Sequence, residues 1–382
     1  MNLFPINQPT LALSISEEAL CLVEVKKSWR STRLKELHKV SLPSGVIRLS
    51  SAKPNIEDME AFTEQLRILA HPLKKPISIA LSLPDLCART SVFDFSTFPT
   101  KQSEQTALLN WRFRQDLKLD TAQSRLSYAV YVPSSIGTAA NQDNPEKVLV
   151  IGSAIRNEIV EQYERACLDL NLMPVSVSIS GLDIFDLYHQ TIQDILEVEN
   201  RRSPNTYQGG MFLFISHWGF AFLAFHDGCP NFVRTKAITI RSDSSLIPAE
   251  TSVEDPFTQG HTEEDEQRDD AIHPYPSYTA TKVEKEILAT IQYYLETFSQ
   301  TQEDLPPSLA NLFVVSDLEH GHKLLPSPES LKETAQVTGA NISDIQVTQL
   351  SYSAHFNKRE SRFVQESNIW SALPGYASLR VA

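Results

Sequence analysis

Cysteine is scarce in this chain of 382 residues: four thiols, at Cys21, Cys87, Cys167 and Cys229, lie far apart with no CxxC pair. That spacing argues against a disulfide framework, a metal knuckle and a redox dithiol, and it fits a reducing cytoplasm. Positive charge is also in deficit, with 34 Lys and Arg against 47 Asp and Glu, for a net charge of −13. A surface of that sign repels nucleic-acid phosphates and anionic lipid, so no nucleic acid is expected as a partner, and a membrane only indirectly. Long apolar runs are missing too. The nearest, Met211 to Phe225, has 15 residues and carries Ser216, His217 and Gly219 in its middle, short of the roughly 20 that a spanning helix requires. Two buried strands joined by a tight turn at His217 to Gly219 account for it better. The first residues, MNLFPINQPTLALSISEEA, lack the basic start and apolar core of a signal peptide, so export is not indicated. Nor does the chain contain GxSxG, GxxxxGK[ST], HExxH or GxGxxG, the short motifs that would announce a hydrolase elbow, a P-loop, a zinc protease or a dinucleotide site.

What is present is ordinary globular material, 41% hydrophobic and 21% charged, enough for cores in two or three domains. The opening reads as three strands, LALSI, LCLVEVK and RLKELHKVSL. A helix follows, with Asn55 as its expected N-cap and apolar residues at Met59, Phe62, Leu66 and Leu69. ISIALSL is a strand stopped by Pro84 and Asp85. A second unit runs through a strand TSVFDF, a helix capped by Ser103, and strands RLSYAVYV and KVLVIGSAI around the polar loop PSSIGTAANQDNP. Leu109, Phe113 and Leu117 form the stripe of that helix, and Trp111 beside them reads as a core or domain-interface aromatic. Helix, strand VSVSI and helix Leu182 to Leu196 come next, with Asp183 and Asp186 as favourable partners of the last helix's dipole. RRSPNTYQGG is the expected linker. Beyond it lie strands around the corner HDGCP, a helix from Lys282 to Phe298, strand LANLFVVS, a helix from Ser330 to Val337 and strand ISDIQVTQL. His320 and His322 lack a third ligand and read as surface polar residues, so no metal is expected. Residues 241–276 are different in kind. Between Arg241 and Ile272 ten acidic residues face two basic ones, a composition expected to stay mobile because it has little to bury.

The order of strands, helix and strand appears twice in outline, with a small unit inserted in the first half, and this resembles the α/β actin-like ATPase fold, the ribonuclease H-like duplicated fold. The phrases LALSISEEALCLVEV, LSLPD, FPTKQSEQTALLNWRFRQDLKL, KVLVIGSAIRNEIVEQYERACLDLNLMPVSVSISGLDIF and WSALPGYASLR resemble the PilM family of type IV pilus assembly proteins, in a divergent form. The resemblance implies a first actin-like subdomain over 1–84 and 172–202, an inserted small α/β domain over 85–171, and a second subdomain over 203–382 that contains the acidic segment 241–276.

An actin-like site needs glycine turns whose N–H groups face phosphates, with aspartates nearby for Mg²⁺. This chain resembles that pattern poorly. In the first hairpin the aspartate, glycine and basic positions fall on Ser14, Ser16 and Cys21, and Glu17 and Glu18 occupy the turn, where they are expected to repel a triphosphate. In the second, Phe214 and Ser216 take the aspartate and glycine positions. Asp317 and Leu318 replace the glycine pair beside the adenosine. The resemblance therefore implies a catalytically degenerate pseudo-ATPase with no cofactor expected, a scaffold peripheral to the cytoplasmic face of a bacterial inner membrane. Its implied partner is the N-terminal peptide of an inner-membrane protein of the PilN type, received in a groove between the first subdomain and the inserted domain; assembly into a ring is a further implied arrangement. Leu81, Leu83, Trp111 and Phe113 are the expected groove residues. The alternatives are an active ATPase holding ATP and Mg through rearranged ligands, and the cytoplasmic module of a type II secretion protein similar to GspL, a family that continues into a membrane helix where this sequence ends at Ala382.

Overall fold

The computed structural model describes residues 9–27, 32–70, 76–131, 148–202, 209–226, 228–240, 277–299, 308–338, 342–351 and 366–381. The loop 133–145, most of the expected linker and the acidic segment 241–276 lie outside the described residues. The chain begins with β1 (Leu11–Ile15), β2 (Ala19–Lys27) and β3 (Thr32–Ser41), then α1 (Met59–Ala70) and β4 (Ile77–Leu83). The inserted unit supplies β5 (Arg89–Phe95), α2 (Gln102–Leu117), β6 (Ser124–Tyr131) and β7 (Val148–Arg156). Return to the first lobe runs through α3 (Asn157–Leu168), β8 (Leu172–Ile179) and α4 (Ser180–Arg202). The second lobe holds β9 (Gly209–Ser216), β10 (Gly219–His226), β11 (Cys229–Ala237), α5 (Ser277–Ser299), β12 (Ser308–Ser316), α6 (Pro328–Val337) and β13 (Ile342–Gln349), and α7 (Glu366–Val381) closes the chain.

Two five-stranded sheets share one topology, β3-β2-β1-β4-β8 and β11-β10-β9-β12-β13, each an antiparallel meander followed by two parallel strands. The third sheet, β5-β7-β6, is antiparallel throughout. Strand alternation sorts the apolar side chains into layers, because successive residues point to opposite faces. On β9, Met211, Leu213 and Ile215 enter the core under α5 and α6, whereas Phe212 and Phe214 enter a central core with α4 and α7. On the first sheet, Leu11, Leu13, Leu81 and Leu83 pack under α1 and α3, while Ala12, Val23 and Ala80 face the same central core. The result is five layers, helices outside, sheets next, and α4 with α7 between the sheets. The apolar run Met211 to Phe225 is thus a hairpin. Gly219 at its turn has φ +134, and a Cβ there would lie 2.0 Å from the Lys236 carbonyl oxygen, so only glycine fits.

Four expectations need correction. Asn55 does not cap α1; it is fully buried, donating to Cys87 Sγ at 3.1 Å and accepting from Ser50 N at 2.9 Å, while Asp58 Oδ1 accepts from Ala61 N at 2.9 Å and takes the capping role. Lys101, not Ser103, precedes α2, and no side chain caps that helix. The inserted domain gives way at Arg156 rather than at residue 171, because Ile159, Val160, Tyr163 and Cys167 of α3 fill the core of the first lobe. The second subdomain does not extend to the last residues: α7 carries Ala372, Leu373, Tyr376 and Ala377 into the central core against Ala12 and Val23 of the first sheet. Gly375 permits that approach, since a Cβ there would stand 3.0 Å from Val23 Cγ2. The Tyr376 hydroxyl also donates to the Thr32 carbonyl at 3.1 Å. Tyr376→Phe is expected to lower stability by about 1 kcal/mol, the usual net worth of one such bond, which a urea titration would read; an unchanged midpoint would deny the bond a role. Among the described residues no helix is long and apolar enough to cross a membrane.

Candidate functional site

The β1–β2 and β9–β10 turns, which in an actin-like site would cradle phosphates, face each other. Ser16 closes the first turn on itself, with its Oγ accepting from Ala19 N at 3.0 Å. Ser14 and Cys21 are buried partners across the hairpin, and burial pushes the Cys21 thiol up to about 12, so it stays neutral. Glu18 reaches across the cleft, its Oε2 lying 3.1 Å from His217 Nδ1 on the opposite turn. Glu17 turns away instead and accepts from Leu49 N at 3.0 Å, so only one of the two expected carboxylates guards the cleft. A polyphosphate laid between these turns would have to displace the Glu18–His217 contact.

Beneath it Ser216 Oγ donates to Asp317 Oδ2 at 2.9 Å, while Asp317 Oδ1 is buried without a partner among the described residues. Burial pushes the Asp317 carboxyl up to about 6, against the opposing pull of His217. Phe214 does not enter the cleft; it packs edge-on against Trp218 in the central core, ring centroids 6.3 Å apart. Leu318 likewise points away, into the core under α5 and α6, so its side chain is not what narrows an approach to a purine.

Sequence reasoning missed a third feature. The N-terminus of α4, a natural anion site because its first N–H groups are unpaired, is filled by the chain's own carboxylate. Asp85 Oδ2 accepts from Gly181 N at 2.9 Å and from Ser180 Oγ at 3.0 Å. Its burial raises the carboxyl to about 6, with the Gly181 bond holding it down. The signal was present as LPD at a strand end and SGLD at a helix start, two phrases that mean nothing until the fold joins them. Asp183 stands in the first turn of α4, the place expected of a dipole partner, and is buried there, its carboxyl pushed up to about 8 by desolvation while it accepts from the Ser178 hydroxyl.

A groove of about 570 Å³ opens between the inserted sheet and the first lobe. Its two long walls are β6 and β8, each the outermost strand of its sheet. At one end Arg125 of β6 makes a double hydrogen bond with Glu164 of α3, at 2.5 and 2.8 Å. At the other end Tyr131 lies near Asp186, which raises its phenol further after burial has done most of the work. The lining combines Ser127, Ser153, Ser176 and Ser178 with the apolar Leu126, Ile155, Val177 and Leu182.

None of the four expected groove residues lines it. Leu81 and Leu83 are fully buried on β4, which is paired on both sides. Phe113 is the centre of the inserted unit's own core, edge-on to Phe93 at 5.1 Å. Trp111 is 54% exposed, neither a core residue nor an interface aromatic between the described units. Edge position decides where a strand can be extended, and it depends on sheet order, which local sequence does not carry.

No protein-family model matches the chain, and no curated protein matches it in sequence. Among solved structures, a PilM-PilN type IV pilus biogenesis complex is similar with a TM-score of 0.60 at 16% identity, covering 98% of this chain and 97% of that one. The cytoplasmic domain of EpsL, an inner-membrane component of the type II secretion system of Vibrio cholerae, matches at 9% identity and a TM-score of 0.41, over 94% of this chain and 97% of that one. A Bacteroides thetaiotaomicron protein with an actin-like ATPase fold matches at 12% identity and 0.40, over 94% and 95%. With its two sheets of one topology and a small inserted sheet, the chain has the actin-like fold, in the form similar to PilM.

Proposed function

We propose that this protein is a scaffold of type IV pilus or related secretion assembly, working at the cytoplasmic face of an inner membrane and holding an extended segment of a membrane partner of the PilN type between β6 and β8. The observation that carries the reading is the groove itself, a trough walled on both sides by strands that are outermost in their sheets among the described residues. An extended peptide laid there gains main-chain hydrogen bonds from an edge and apolar pockets from alternate side chains. The solved structure that it resembles is a complex of PilM with PilN. The phosphate cleft supports the same reading from the other direction, since Glu18 and His217 bridge it and Asp85 fills the anion site at α4.

Two titrations of the full chain test this. Peptides from the N-termini of inner-membrane assembly proteins are expected to bind the wild type and to lose binding to Ala129→Trp, which places an indole in the groove from an exposed position on β6. ATP with magnesium is expected to give no saturable heat by calorimetry. Tight ATP binding would turn the reading toward an ATPase, and failure of every such peptide would remove the scaffold role.

A further inference from the structure

The groove is lopsided in charge. Its lining carries Glu164, Asp183 and Asp186, and the single cation among the described lining residues is Arg125. Arg125 is committed to Glu164 through both of its terminal nitrogens. Two acidic side chains therefore remain without a cation, both at the Tyr131 end and both on the first turns of α4; burial keeps the proton on Asp183 until about pH 8, so the charge on offer is that of the exposed Asp186. Asp183 is buried in the floor with only the Ser178 hydroxyl donating to it, and Asp186 is exposed above it with no hydrogen-bond or ion-pair partner among the described residues. The charged groups near Asp183 are Asp85, which precedes β5, and Asp186, one turn on along α4, again both acidic. Partners seated in grooves of one sign carry the opposite sign, because like charges brought together at an interface are strongly disfavoured.

β6 and β8 run the same way along the groove. β6 runs from Arg125, paired with Glu164, to Tyr131 beside Asp186, and β8 runs from Leu172 to Ile179, directly ahead of the α4 turns that carry Asp183 and Asp186. Pro174 has no N–H to offer, which is the expected place for proline on an outermost strand, so the usable edge of β8 begins beyond it. From Arg125 to Tyr131 the wall is long enough for a strand of about six residues.

We propose that the occupant of this groove is an extended segment of about six residues bearing a lysine or arginine at the end that reaches Asp186 and, behind it, Asp183. The proposal rests on the groove being a peptide site and adds which chemistry that site selects. Main-chain pairing to an open edge gives affinity without regard to sequence, and the uncompensated Asp186 carboxylate then decides which segments are accepted. An arginine fits best, since its planar fork can pair with the Asp186 carboxylate and reach the Asp183 carboxyl oxygen behind it while its stem lies along apolar lining.

The test is a phage-displayed library of random octapeptides panned on the full chain, with three variants in parallel: Ala129→Trp, Asp186→Asn and Asp186→Lys, each checked for an unchanged melting transition. Enriched sequences are expected to share one Lys or Arg at a fixed position among alternating apolar residues and to fail on Ala129→Trp. They are expected to bind Asp186→Asn about tenfold more weakly, with the gap closing as salt rises. Asp186→Lys is expected to select Asp or Glu at the same position. Peptides blocked by Ala129→Trp but free of any cation preference and indifferent to Asp186→Asn would overturn the charge selection and leave the groove as a peptide site. No enrichment, or peptides that ignore Ala129→Trp, would overturn the groove reading and this proposal with it.

Discussion

Replacing Gly181 by valine is expected to destabilise the protein by on the order of 3 kcal/mol, among the larger effects available to one substitution. A Cβ at that position would lie 2.5 Å from Asp85 Oδ1, 2.9 Å from Asp85 Oδ2 and 3.0 Å from Ala221 Cβ. Something must move, and every choice is poor. Shifting Asp85 breaks the two bonds that satisfy the start of α4, and shifting α4 opens the central core where Ile184, Phe185 and Tyr188 pack. Asp85→Ala removes the same bonds from the other side, leaving the Gly181 N–H and the Ser180 hydroxyl buried and unmatched, a loss of about 1–3 kcal/mol. Because both changes strike one contact, the double variant is expected to lose clearly less than the sum of the two. Urea unfolding of the four proteins makes that comparison; strict additivity would mean that Asp85 and Gly181 act independently and that the carboxylate does not hold the helix.

The second large effect is a decline of stability toward alkaline pH. Asp183 titrates at about 8 and Asp85 and Asp317 at about 6 in the fold, against an ordinary aspartate value of 3.8, in each case chiefly because burial penalises the charged form. A carboxyl whose value rises on folding binds its proton more tightly in the native state. Its stabilising contribution is therefore complete below the unfolded value and is lost as pH rises through the folded one. Stability should fall from about pH 4 to about pH 8, by a few kcal/mol over the whole window, with Asp183 responsible for the upper part. Asp183→Asn keeps an acceptor for Ser178 and removes the titration, so its profile should flatten between about pH 6 and about pH 8 and cross that of the wild type. Parallel profiles for the two proteins would show that Asp183 is not the source.

Much of the architecture was legible along the chain. A short apolar run broken by Ser216 to Gly219 pointed to β9 and β10, and helical spacing pointed to the face of α1, because each signal is local. Boundaries and assignments between lobes were less accessible. Nothing in WSALPGYASLR says that it packs against a strand more than three hundred residues earlier, and only the tertiary fold assigns α3 to the first lobe. The cleft was half legible: the loss of glycine at Ser16 and Ser216 could be read, but the direction taken by Glu17, Phe214 and Leu318 could not, since alternation flips a side chain with one residue of register. The trough between β6 and β8 was not legible for a related reason. Leu81, Leu83 and Phe113 look like binding residues because they are apolar, yet the most apolar positions are those a fold buries first, and the open walls belong to the weakly patterned β6 and β8.

The placement of α7 sets an order of events during synthesis. A chain emerging from the ribosome folds its early units first when they are self-sufficient, but the first sheet here presents Ala12, Val23 and Ala80 to a helix encoded at 366–381. Until that helix is translated, the apolar face of the earliest strands lacks the cover that Ala372, Leu373, Tyr376 and Ala377 give it.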